Sequence, residues 1–458
     1  SVVNPMAMEN GFTMSGADGS VLDPCVSISY EFELKPNQTA TFDIITGMSD
    51  SKELCESLMY KYQDKHIKNR AFELSWTHNQ VILHQINASE GEAQLYVRMA
   101  GSIIYPNAHL RAAAEIIRSN FKGQNGLWSY SISGDIPIVL LRVHDIQNLP
   151  LVIQMIKAHA YWRMKGIAVD LLILNEDFGA YRQELQEQIM NIVTASVNTT
   201  SNAQPGNIYV RRTEQVTNED RILFQTVARI IIDDHAGTLE EQVNKKINTK
   251  PLPPALSPIS GNSGKIVENP KLQLPPGLVF VNGYGGFTKD GKEYIMYSDA
   301  EKRTPAPWAN VIANYRFGTV ISESGAAYSW LENAHEFRLT PWHNDPVTDS
   351  CGEAFYIRDD DDGKFWSPMP LPATSKEAYI TRHGFGYTVF EHVELGIHSE
   401  TTVFVDIEKP VKFTSIRLKN LSGRERKLSV TGYTEWVLGD LRSKSSMYII
   451  TEKDAETG

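Results

Sequence analysis

A proline-rich run followed directly by a glycine- and serine-rich one divides this chain before any other feature can be weighed. Pro251-Leu252-Pro253-Pro254-Ala255-Leu256-Ser257-Pro258 leads into Gly261-Asn262-Ser263-Gly264. Proline fixes φ and lacks an amide donor, while glycine and serine leave the backbone too free to order cheaply, so neither helix nor sheet can cross this stretch. The linker, taken as residues 249–276, separates two sequence patterns that cannot share one core. The chain has 458 residues, room for about two to four domains at roughly 100–200 residues each.

Before the linker, residues 123–248 alternate buried strands with amphipathic helices. Ile136 to Val143, Val169 to Leu174 and Ile208 to Arg211 are strand-length apolar runs, and Arg229 to Asp233 is a candidate fourth. Leu149, Val152, Ile153, Ile156 and Ala160 recur at helical spacing up to Gly166; Tyr181, Leu185, Ile189 and Ile192 mark a second helix, and Thr217 caps a third. Strands apolar on both faces, joined by helices, predict a small parallel α/β unit. Residues 49–122 read as a helical lead-in, with capping-box spacing at Asp50-Ser51-Lys52-Glu53 and a break at Pro106. Residues 1–48 alternate with period two around a turn at Lys35-Pro36-Asn37-Gln38, as tail strands of a β-sandwich would.

Beyond the linker, residues 277–458 are short strands and turns, such as Thr401 to Val405, Phe413 to Leu418 and Lys427 to Tyr433. They predict a large antiparallel β-sandwich. The fold class is therefore α/β plus all-β.

Net charge is −11, with lysine and arginine scattered, which argues against a nucleic-acid partner. No run approaches the roughly 18 apolar residues of a membrane span, so no membrane contact is expected within this chain. Ser1-Val2-Val3-Asn4-Pro5 has neither the basic start nor the apolar run of a signal peptide. Cys25, Cys55 and Cys351 are odd in number and far apart, suggesting neither a disulfide framework nor a zinc site but a reducing, cytoplasmic setting. The α/β unit lacks the glycine-rich loops that cradle nucleotide phosphates. Val143-His144-Asp145 and Leu174-Asn175-Glu176-Asp177 sit where α/β ligands bind, yet the plainer reading is that they start the following helices. Neither a metal nor any other cofactor is expected.

Chemistry concentrates between Thr304 and Pro372. Trp308, Arg338, Trp342, Asn344 and Asp345 lie in proline-bearing loops, and they are the candidate carbohydrate-binding or pocket-supporting residues. An indole face suits the C–H face of a sugar, amide, carboxylate and guanidinium groups suit its hydroxyls, and proline lowers the entropy lost on binding. A structural role competes: Pro-Trp pairs fill sandwich corners, Asn344 and Asp345 cap turns, and Arg338 pairs with Asp349. Asp345, Asp349 and Glu353 raise the question of a glycosidase carboxylate pair, but spacing along the chain supplies no distance, and no catalytic residue is assigned. His383 near Gly384 and Gly386 lacks convergent metal ligands.

Several of these segments carry a resemblance. Asn282-Gly283-Tyr284-Gly285-Gly286-Phe287, Thr304-Pro305-Ala306-Pro307-Trp308, Ser322-Glu323-Ser324-Gly325-Ala326 and Arg338-Leu339-Thr340-Pro341-Trp342-His343-Asn344-Asp345-Pro346 resemble the β-sandwich (supersandwich) of glycoside hydrolase family 94 phosphorylases. Gly126 to Leu140 and Tyr161 to Ile167 are similar to the C-terminal region of bacterial cyclic β-1,2-glucan synthases. The resemblance implies a glycosyltransferase of the inverting glycoside phosphorylase type. Such a parent acts on a β-linked glucan or oligosaccharide with inorganic phosphate as co-substrate, and is anchored in the bacterial inner membrane. In that family the general acid and the phosphate site belong to an (α/α)6 barrel with no counterpart in this sequence. The expectation is a non-catalytic portion, inactive alone, that shapes a substrate pocket against the barrel and supports a homodimer. A stand-alone carbohydrate-binding or scaffold module is the alternative.

Overall fold

The computed structural model describes residues 25–177, 184–197, 205–245 and 269–456, with Gly16, Gly19 and Ser20. The linker run from Pro251 to Gly264 and Tyr181 of the second expected helix lie outside these residues. The chain divides into two units, one drawn from Glu31–Lys250 and Glu452–Gly458, the other from Ser1–Tyr30 and Pro251–Thr451.

The first unit opens with three helices, α1 (Lys52–Tyr62), α2 (Lys65–Gln85) and α3 (Glu90–Ile104). Ser51, not Asp50, caps α1 by accepting from the Leu54 amide at 3.2 Å, so the helix starts one residue later than the capping-box spacing suggests. Ser89 and Glu92 form a complete capping box on α3. Two single-turn helices, α4 (Ala114–Arg118) and α5 (Asn125–Trp128), complete the lead-in beyond Pro106.

Then come β1 (Ile138–Val143), α6 (Leu149–Met164), β2 (Asp170–Asn175), α7 (Glu184–Val197), β3 (Ile208–Arg212), α8 (Asn218–Val227), β4 (Ala228–Asp233) and α9 (Leu239–Val243). The four strands are parallel in the order β3-β2-β1-β4. Alternate residues of β1 and β2 face opposite layers, which is why both strands read as unbroken apolar runs. Val139, Leu141, Leu171 and Ile173 pack with Val152, Met155 and Ile156 of α6 and with Tyr96 and Met99 of α3. Leu140, Leu172 and Leu174 pack on the other face with Leu127, Leu223 and Phe224. Each such fully buried side chain contributes about 1.5–3 kcal/mol over an exposed one. Trp162, fully buried, donates its indole N–H to the Tyr96 carbonyl at 2.8 Å and so ties α6 to α3.

Residues 25–49 hold the turn expected between the tail strands, with neither flank in a ladder among the described residues. The turn forms, with Gln38 N–H donating to Lys35 O at 3.1 Å and Asn37 at φ +65°. No ladder forms beside it, and Val26, Ile28 and Ile44 stay exposed. Two strands gain little by pairing unless a further layer covers their apolar face, and the described residues place none over these side chains.

In the second unit, β5 (Gly285–Phe287), β6 (Glu293–Ser298), β7 (Ala309–Ala313), β8 (Phe317–Ser322), β9 (Ala327–Leu331), β10 (Glu353–Asp359), β11 (Phe365–Trp366), β12 (Tyr379–Gly384), β13 (Tyr387–Glu394), β14 (Ile397–Val405), β15 (Lys412–Asn420) and β16 (Leu428–Thr434) form three antiparallel sheets. The largest runs β15-β14-β13-β12-β6-β5; the smaller ones are β7-β8-β9 and β11-β10-β16. Ile312, Phe317 and Ile321 from the β7-β8-β9 sheet meet Phe390, Val403 and Val405 from the largest sheet, with Met369 between. Ile357, Trp366 and Ile397 form a second core under β10. The parallel sheet with its helices and these antiparallel layers match the expected fold class.

Candidate functional site

Loops that carry three of the four sequence motifs line one recess open to solvent. It is walled by the β6–β7 loop (Arg303, Thr304, Ala306, Pro307), the β8–β9 turn (Glu323, Ser324), the segment before β10 (Pro346 to Asp349) and the β11–β12 loop (Pro370, Leu371, Thr374), with Asp299 and Tyr379 at strand ends.

Carboxylates hold these loops in place. Glu323, 7% exposed, accepts the Trp308 amide at 2.6 Å and the Thr304 hydroxyl, which fastens the β6–β7 loop to the β8–β9 turn. Burial pushes the Glu323 carboxyl above its usual range, with the Asp349 charge assisting, despite the lowering effect of those donors. Asp349, at φ +46°, accepts the hydroxyls of Ser322 (2.6 Å) and Ser324 and so draws the 346–349 segment onto the same turn. Asp345 accepts the amides of Val347 (2.9 Å) and Thr348 (3.1 Å) and the Thr348 hydroxyl, and these bonds hold its carboxyl below the ordinary value. His383 bridges Trp308 O (2.9 Å) and Thr388 Oγ1 (3.0 Å). Burial lowers its pKa, and its bonds are those of a structural pin.

None of the five residues nominated from the sequence as carbohydrate-binding or pocket-supporting lines the recess itself. Trp308 contributes its backbone to the loop, while its ring packs against Tyr284 (5.7 Å) and Tyr294 (5.9 Å). Trp342 lies on Tyr328 with centroids 4.8 Å apart. Asn344 takes a left-handed φ of +50°, which turns the chain into the Asp345 cap. Arg338 exchanges backbone hydrogen bonds with Gly439, and its side chain donates to Ala334 O at 3.4 Å; it does not pair with Asp349, whose partners are the two serine hydroxyls. The groups that face the recess, Thr304, Glu323, Ser324 and Asp349, lie in the same loops but are not among the carbohydrate-binding candidates that sequence reasoning selects. For Thr304, Glu323 and Ser324 the signal is their place inside the two shorter motifs, 304–308 and 322–326; Asp349 lies outside every motif.

The acidic residues that raise the question of a catalytic pair are each held by their own hydrogen-bond partners. Glu353 is buried in the sandwich with Lys412, Thr340 and Ser329, whereas Asp345 sits in the turn. The three thiols are free, and burial pushes Cys351 up to about 12. No helix among the described residues is long and apolar enough to cross a membrane.

The chain is 31% identical over 98% of its length to cyclic beta-(1,2)-glucan synthase NdvB of Rhizobium meliloti, covering 16% of that protein. It is 30% identical over 38% of its length to N,N'-diacetylchitobiose phosphorylase of Vibrio proteolyticus, covering 22% of that enzyme. Against solabiose phosphorylase of Paenibacillus borealis it is 32% identical over 34% of its length, covering 20%. The chain thus spans less than a quarter of each of these relatives. The model of the glycosyl hydrolase 94 supersandwich domain matches residues 1–65 and 292–458, just over half of the chain and every strand around the recess from β7 onward, and the chain therefore belongs to the glycosyl hydrolase 94 supersandwich family.

Proposed function

We propose that this chain is a non-catalytic, pocket-shaping part of a carbohydrate-active enzyme of the glycoside phosphorylase type, acting on a β-1,2-linked glucan. The observation that carries this reading is the convergence of the motif loops on one recess held rigid by Glu323, Asp345 and Asp349. A recess with proline walls and hydroxyl and carboxylate groups at its surface suits a neutral sugar, which is recognised by hydrogen bonds without net charge. Chemistry and phosphate binding belong, on this reading, to a barrel domain of the same protein, with inorganic phosphate as co-substrate and a second copy as a partner. Calorimetry of the 458-residue chain with linear β-1,2-gluco-oligosaccharides tests it, alongside an assay for glucose 1-phosphate release. Binding that Asp349→Ala weakens at least threefold, without phosphorolysis, is the expected result. Turnover by the chain alone, or no binding to the parent sequence, overturns the reading.

A further inference from the structure

The parallel order of the α/β sheet brings the ends of β1, β2 and β4 to one rim, and the residues just beyond those ends meet there. His144 comes directly after β1, Glu176 directly after β2, and Asp233, Asp234 and His235 close or succeed β4. From this rim we infer a site, separate from the sandwich recess, for one divalent transition-metal ion of the zinc class, with His144, Asp233, Asp234 and His235 as its ligands.

One ligand atom from each of these four residues lies within 4.8 Å of the others. Asp234 is fixed by three donors on Oδ2: the amides of His144 (2.8 Å) and Asp145 (3.1 Å) and the Asn148 side chain (3.0 Å). Its Oδ1 is thereby aimed at His144 Nδ1, 2.6 Å away. His144 Nε2 meets Glu176 Oε2 at 2.7 Å. The Nε2 contact with Glu176 leaves Nδ1 as the ring atom that, beside Asp234 Oδ1, is turned towards a metal ion. Asp233 Oδ1 stands 3.8 Å from the same Nδ1, and the exposed His235 ring stacks on His144 with centroids 4.1 Å apart.

The outer contacts have the form that metal sites use. A carboxylate, Glu176, orients the ligating histidine through its far nitrogen, as in carboxylate–histidine–zinc triads. Glu176 is itself held by Arg142 (2.7 Å) and Arg221 (3.0 Å), and Arg142 also holds Asp233 Oδ2 at 2.8 Å. Two imidazoles and two carboxylates favour zinc over magnesium or calcium, which prefer oxygen donors.

Calorimetry of the chelator-stripped 458-residue chain with zinc chloride tests the site, beside magnesium chloride and the variants His235→Ala and His335→Ala. His335 is an exposed histidine remote in sequence that controls for surface binding. Expected are one zinc per chain at micromolar or tighter Kd, at least tenfold weakening in His235→Ala, no change in His335→Ala, and magnesium at least a hundredfold weaker. Because His235 is exposed, its loss leaves the fold intact, which circular dichroism verifies. X-ray absorption at the zinc edge should show only nitrogen and oxygen neighbours, near 2.0–2.1 Å. No zinc binding by the parent chain, or equal affinity in His235→Ala, overturns the site and leaves the rim a hydrogen-bonded polar network.

Discussion

Glu353 of β10 and Lys412 of β15 form an ion pair inside the sandwich, Oε2 to Nζ 2.5 Å, with both side chains 13% exposed. Thr319, Ser329 and Thr340 supply the remaining hydrogen bonds. Breaking one side leaves a buried charge without its partner, which costs about 3–5 kcal/mol. Lys412→Met should lower stability on that scale, read from urea unfolding, whereas Lys412→Met with Glu353→Leu should recover most of the loss. A loss in the double variant as large as in the single one would show that packing, not charge, dominates there.

The same carboxylate sets an acid limit. Burial raises the Glu353 pKa, but the Lys412 charge and the Thr340 and Ser329 hydroxyls outweigh it, so the net direction is down. A depressed folded-state value means that its contribution is present above the unfolded value, near 4.5, and is lost as pH falls through the folded one. Sandwich stability should therefore fall with decreasing pH below about 4.5, and Glu353→Leu paired with Lys412→Met should flatten that part of the curve.

His159 gives the α/β unit a different dependence. It is 2% exposed on α6 and donates Nε2–H to Val169 O at 2.9 Å. Burial lowers its pKa from 6.5 to about 4. The unfolded chain then takes up a proton that the folded chain refuses, so stability is complete above pH 6.5 and declines between 6.5 and 4. The loss across that window is on the order of 3 kcal/mol. In His159→Gln the decline should vanish from unfolding curves recorded at pH 7 and pH 5; an unchanged slope would mean that other groups produce it.

Gly285 pairs with Met296 at the edge of the largest sheet, and a Cβ there would run into the Ile295 carbonyl oxygen. Backbone cannot swing aside as a long side chain can. Gly285→Ala should cost about 1–3 kcal/mol, lowering the urea midpoint without altering the slope. Full stability in this variant would show that β5 re-pairs in another register.

Asp349→Ala removes the acceptor for two serine hydroxyls at the recess. The hydroxyls keep only their bond to each other, at 2.9 Å, so the lost bonds should cost about 1 kcal/mol, and the 346–349 segment should exchange its amide hydrogens faster. Exchange rates equal to those of the parent would show that the Asp345 turn alone holds the segment.

Much of the α/β unit can be read directly from residues. The strands of its centre are apolar on both faces, so their boundaries appear as composition, and Thr217 marks the start of α8 by accepting from Asp220 N–H at 3.2 Å. The loops of the sandwich recess are legible as stiff and polar. Which side chains face inward is not, because that depends on partners far along the chain. Trp308 offers its amide to Glu323, fifteen positions away, and its ring goes elsewhere. The period-two pattern at 27–34 has an apolar face, yet pattern alone does not supply the layer that would bury it. His144 and Asp234 are 90 positions apart, so no local window could show them as neighbours.

A parallel sheet sends every strand towards the same edge. With β1 lying between β2 and β4, the chain leaving β1 is flanked by the chain leaving each of its neighbours. Positions 144, 176 and 234 therefore do not vary independently: a change at one alters what the other two can tolerate, and coupled double substitutions, not single ones, measure what that edge contributes.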